Sequence, residues 1–190
     1  MNWVLRNIIR FIFFILLQFF ILDNVPALHR FIIPVIYFLF ILWLPFSISR
    51  FWLLVIGFFT GLSYDYFTVT PGLHAAACVL VAYFRPFIVN ILIPKDTSEF
   101  NYSEPSAKAM GWAPYAVYVF ALSLLHQGYI LLLEWLEVGN FLDFLIKVVS
   151  TTAVSLLLIF TAEILFPRRL KYRTNTAYWG KSQERQFKNL

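Results

Sequence analysis

The chain alternates long apolar runs with short polar breaks, and the breaks delimit the elements. The first run extends roughly from Ile8 to Leu22, with Arg10 near its start. The second runs from about Phe31 to Phe46. Its prolines, Pro34 and Pro45, stand near its two ends, where a missing N–H costs least. A third covers about Phe51 to Val69 and a fourth Gly72 to about Ile93. The fifth spans about Trp112 to Leu133 and the sixth about Phe144 to Phe166. Pro94 ends the fourth run and Pro167 the sixth. As helices, runs of roughly 15–23 residues cross a hydrocarbon core of about 30 Å. The first two are at the short end, so they are expected to lie obliquely or to thin the bilayer around them. Thr68 to Gly72 is a tight hairpin between the third and fourth runs. Lys95 to Lys108 has no apolar periodicity and reads as a solvated loop. Glu134, Glu137 and Asp143 mark a short acidic link before the sixth run. The expected fold is an all-α integral membrane protein with six transmembrane helices. These form one domain of residues 1–167, followed by a basic tail of residues 168–190.

Composition sharpens this picture. Of 190 residues, 61% are hydrophobic and 13% charged, about half the charged share of a soluble domain. Twenty-two Phe and six Trp suit lipid-facing surfaces and interfacial belts. Val25-Pro26-Ala27 offers small residues where a signal peptide would be cleaved, but Arg10 and the later spans favour a retained anchor. A single cysteine, Cys78, excludes a disulfide framework and a cysteine-based metal site.

Six crossings put both termini on one side. That side then holds Arg6, Arg10, Arg50, Arg85, Lys95, Lys108 and the seven basic residues of the tail, against Arg30 and Lys147 opposite. Thirteen against two places both termini in the cytoplasm. Asp65 and His74 then lie near the outer face, Arg85 and Glu163 near the inner one. The tail mixes its basic residues with Tyr178, Trp179 and Phe187, a pattern more suited to anionic lipid than to nucleic acid.

The polar residues inside the apolar runs carry whatever chemistry there is. Gly57, Gly61 and Asp65 recur every four residues, so they share one helical face. Glycines at that spacing let another backbone approach closely in lipid. An aspartate there costs about 2.5–3.5 kcal/mol on insertion scales, so it faces protein or water. Two roles stay open for Asp65. One is an anchor that hydrogen-bonds the hairpin backbone or His74, and asparagine should then be tolerated. The other is a proton or ion site, favoured less because such sites prefer the midplane and broken helices. His74 lacks companion ligands at metal spacing. Arg85 and Glu163 either pair across helices or snorkel separately to the headgroups. Ser63, Ser123 and Ser155 have no His and carboxylate at recognisable motif spacing, and there is no phosphate loop or HExxH. No metal, cofactor or enzymatic activity is expected.

Gly57-Phe58-Phe59-Thr60-Gly61-Leu62-Ser63-Tyr64-Asp65, then Thr70-Pro71-Gly72-Leu73-His74 and Val81-Ala82-Tyr83, resembles the signature of the MreD family of bacterial rod-shape-determining membrane proteins. That family shows a Gly-x-x-x-Gly-x-x-x-Asp helix, a Thr-Pro-x-Gly turn and an apolar helix ending in a basic residue, here Arg85. The Pro71-Gly72 turn is one residue tighter than the common form. The match covers about thirty residues and is compositional elsewhere. The resemblance implies a non-enzymatic scaffold in the inner membrane, within the machinery of lateral cell-wall elongation. Its implied partners are MreC, MreB, RodA and a penicillin-binding transpeptidase. The rival reading is the substrate-binding membrane subunit of a vitamin-type importer, with Asp65, His74, His126, Gln127 and Glu134 near its outer side.

Overall fold

A computed structural model describes residues 3–24, 34–93, 104–138 and 140–166. The possible cleavage site, Arg30, Pro94, most of the polar loop and the whole basic tail lie outside the described residues. The described residues form helices and turns, with no strand. Among the described residues, four helical stretches are long and apolar enough to cross a membrane: Leu5–Leu22, Leu73–Leu92, Trp112–Leu136 and Phe141–Leu165.

Helix α1 (Trp3–Leu16) passes directly into a π-helical stretch, Leu17–Leu22. Helix α3 (Arg50–Thr68) opens on Ser49, whose hydroxyl accepts from the Trp52 N–H, and ends at Val69 in the left-handed region. Helix α4 (Leu73–Leu92) follows after Gly72, which is also left-handed with φ 90°. This hairpin matches the expected turn closely.

Three expectations need correction. The second apolar run is not a transmembrane helix. It holds one four-residue helix, α2 (Leu39–Leu42), within an otherwise irregular segment. Its residues Val35 to Leu44 are all buried. The reason lies in the prolines. Ten helical residues between Pro34 and Pro45 would rise only about 15 Å, and the chain winds from Ile36 to Leu44 through successive i→i+3 and i→i+4 turns instead of one long helix. It runs through the interior from Pro34, beside Gln18, to Leu44, beside Arg85. The polar loop is not wholly solvated either. Ser106 caps a short helix, α5 (Ala107–Met110), that is buried at the end of the bundle away from the α3–α4 hairpin. Glu104 there pairs with Arg6 and with Arg10 (3.1 Å) of α1. Finally, the acidic link is absorbed into helices. Glu134 and Glu137 belong to α6 (Trp112–Val138), and Asp143 sits in the first turn of α7 (Phe141–Leu165), where a negative charge suits the helix dipole.

Candidate functional site

Turns within the buried segment satisfy the N–H groups of Leu39 to Leu44, and what they leave over lies at its ends: the Val35 and Ile36 N–H groups and the Pro34, Leu42 and Leu44 carbonyls. Such backbone survives at membrane depth only where protein supplies its partners. Side chains from four helical elements do so. At its start, Gln18 donates to the Pro34 carbonyl (2.9 Å) and accepts from the Ile36 N–H (2.8 Å), while Ser155 of α7 accepts from the Val35 N–H (3.2 Å). At its end, Tyr118 of α6 donates to the Leu42 carbonyl (2.9 Å), and Arg85 of α4 donates to the Leu44 carbonyl. Arg85 Nε also donates to the Tyr118 hydroxyl (2.9 Å).

Arg85 and Glu163 therefore follow neither reading given for them. Arg85 is buried rather than snorkelling. Glu163 reaches partners of its own, accepting from the Ala107 N–H at the start of α5 (3.0 Å) and from the Tyr115 hydroxyl (2.8 Å). That hydroxyl in turn accepts from Trp43 Nε1 (3.3 Å).

The glycine stripe faces α4. A Cβ on Gly61 would fall 2.5 Å from the Ala75 nitrogen, against backbone that has nowhere to go. One on Gly57 would lie 3.0 Å from both the Ala82 Cβ and the Cys78 carbonyl oxygen. The close approach brings the Asp65 carboxylate over the start of α4. One oxygen accepts from the His74 N–H (2.9 Å) and the Thr70 hydroxyl (3.1 Å). The other accepts from the Ala75 N–H (2.9 Å) and the Gly72 N–H (3.1 Å). A helix start leaves N–H groups without partners, and here a side chain from the preceding helix fills that need. Pro71 sits exposed at the tip.

The His74 ring turns away from Asp65 and toward the irregular segment. Its Nδ1 is 3.1 Å from the Tyr37 hydroxyl, and His126 Nε2 is 2.9 Å from the same hydroxyl. Cys78 Sγ lies 3.8 Å from that oxygen. Tyr37 stacks on Tyr64 (4.4 Å between centroids), whose hydroxyl donates to Asp23 (2.9 Å). His126 stacks on Phe38 at 4.4 Å. Beyond His126 lies a polar layer between α6 and α7. Ser123, His126, Gln127, Thr151, Thr152 and Ser155 are all buried there, with Gln127 donating to Ser155 (3.4 Å). Ser123 Oγ, His126 Nδ1 and Thr152 Oγ1 are buried without a hydrogen-bond partner among the described residues.

Sequence reasoning did not single out Gln18, Asp23, Tyr37 or Tyr64. Gln18 carried a usable signal, as the one amide in the run Phe11–Leu22. Tyr37 carried none, since it stands in an apolar run like many other aromatics here. No group of three or more His, Cys, Asp or Glu among the described residues is arranged to hold a metal ion.

Fold and interior together define a multi-pass, all-helical membrane protein built around a buried irregular segment. Compared with family profiles, curated proteins and solved structures, the chain matches none.

Proposed function

We propose that this chain is a non-enzymatic scaffold of the bacterial inner membrane, a subunit of the lateral wall-elongation machinery. In this reading it crosses the membrane six times, with the irregular segment as the second crossing, and keeps both termini in the cytoplasm. The observation that carries the reading is the 57–85 hairpin. The residues of the MreD-like signature converge there on one tight contact, from Gly57 and Gly61 through Asp65 to the start of α4. The hairpin is thus a rigid unit whose outer faces, with Phe58, Phe59, Tyr66 and Val69 exposed, are free to meet another span. Partners on this reading are MreC, MreB, RodA and a penicillin-binding transpeptidase, with the tail against anionic lipid. Affinity purification of the tagged chain from native membranes tests it, with co-elution of those wall-synthesis proteins expected. Their absence from repeated preparations would refute it.

The importer reading retains one specific support, the buried polar layer between α6 and α7 with its unpartnered hydroxyls. Native mass spectrometry of the same preparation distinguishes the two. A stoichiometric small ligand without wall-synthesis proteins would favour import.

A further inference from the structure

Two imidazoles and a phenol meet inside this bundle in an order that suits proton movement. His74 is half-buried at the hairpin end, next to the exposed Pro71 and Gly72. Tyr37 and His126 are fully buried behind it. The Tyr37 hydroxyl is within hydrogen-bond reach of one nitrogen on each ring, at 3.1 and 2.9 Å. A phenol has a single proton and can donate to one ring while accepting from the other. His126 Nδ1, the other nitrogen of its ring, is buried and has no partner among the described residues.

We propose that His74, Tyr37 and His126 form a proton-transfer path from the hairpin end to the buried imidazole of His126 on α6. Protonated His74 gives its Nδ1 proton to the Tyr37 oxygen as Tyr37 gives its own proton to His126 Nε2. One N–H and one O–H bond break, one O–H and one N–H bond form, and the positive charge passes from His74 to His126. No oxidant or co-reactant is involved. The groups facing the path are few. The Tyr64 ring lies 4.6 Å from the His74 ring, and its hydroxyl holds Asp23 on the same side. The Asp65 carboxylate sits on the His74 main-chain N–H. Both carboxylates stand at the entry and favour an incoming proton there. Against His126 lie Phe38 and the Cys78 thiol (4.0 Å). The path is independent of which partners the protein has.

The test uses the full chain in lipid nanodiscs, labelled with ¹⁵N-histidine, and follows hydrogen–deuterium exchange at the ring nitrogens by NMR. In the wild type, the His126 ring N–H should exchange faster than the protected backbone amides of α6. Tyr37→Phe removes the relay oxygen and should slow exchange at His126 by about 100-fold, the lower end of what a positioned proton-transfer group contributes. Exchange at His74, half-buried at the hairpin end, should not slow. His74→Gln keeps a hydrogen-bonding side chain but cannot relay a proton, and it should also slow exchange at His126. Backbone amide exchange in α6 reports whether a variant has loosened the fold. If Tyr37→Phe loosens it, the His74→Gln result decides. An unchanged His126 rate in intact Tyr37→Phe or His74→Gln protein would overturn the path. So would a wild-type rate no faster than that of the α6 amides.

Discussion

Asp65→Asn is the most informative single substitution at the hairpin. In isolation asparagine looks conservative, since it keeps the size and one acceptor oxygen. The geometry removes that basis, because each carboxylate oxygen accepts from a backbone N–H. An amide nitrogen at the oxygen shared by Gly72 and Ala75 would face two N–H donors. Gly72 is exposed and can turn to water, but Ala75 is buried. Flipping the amide puts its nitrogen against Thr70, whose hydroxyl can accept, and against the His74 N–H, which cannot. Either orientation strands one backbone donor, at about 1–3 kcal/mol. The surviving bonds also become neutral ones, roughly half as strong as those to a carboxylate. Asp65→Asn should therefore destabilise the protein by about 2–4 kcal/mol, and Asp65→Leu, which removes all four acceptances, by more. Equilibrium unfolding in bicelles measures both. Asn protein within about 0.5 kcal/mol of wild type, the scatter of surface substitutions, would refute the capping argument. Loss of activity in Asp65→Asn no longer separates an anchor from a charge-carrying site, because the anchor also needs both oxygens.

The glycines give a graded series by the same measurement. Gly61→Ala drives a Cβ into backbone and should lose about 1–3 kcal/mol. Gly57→Ala should lose less. Gly128→Ala, with nothing within 4 Å of the added carbon, should be neutral or stabilising by up to about 1 kcal/mol. Gln18→Leu keeps the volume but strands the Ile36 N–H and Pro34 carbonyl, and a loss of about 2 kcal/mol or more is expected. Topology is checked by fusing to Leu190 a reporter active only outside the cytoplasm. No signal is expected, and a strong one would contradict the six-crossing reading.

Much of the hairpin was legible in the sequence, because it depends on local spacing. Gly57, Gly61 and Asp65 declare a common face, and Thr70-Pro71-Gly72 declares a turn. The buried segment between Pro34 and Pro45 was not legible in the same way. Its apolar residues carry no period that separates a lipid-facing helix from a buried strand of chain, and burial on all sides looks alike in both. The distance between Pro34 and Pro45 did contain the answer, as ten helical residues are too short for a hydrocarbon core. The partners of that segment are far from it in sequence. Ser155 is 120 residues from Val35, and Arg85 is 41 from Leu44. No local motif could join them.

Two sets stand out among the polar residues of the apolar runs. Gln18, Arg85, Tyr118 and Ser155 each bond the main chain of the irregular segment, and Asp65 does the same for the start of α4. Their presence follows from the fold, since unpaired backbone in an apolar interior costs several kcal/mol per group. The second set makes no such bond through its side chains. The Tyr37 hydroxyl and the rings of His74 and His126 bond only one another and approach Cys78, while Ser123 Oγ and Thr152 Oγ1 bond nothing among the described residues. Phenylalanine at 37 and apolar residues at 123, 126 and 152 would bury as well without stranding a polar atom. Folding alone thus accounts for the first set and leaves the second unexplained. Function should be sought at Tyr37 and His126 before Asp65, although Asp65 is the residue the sequence puts forward.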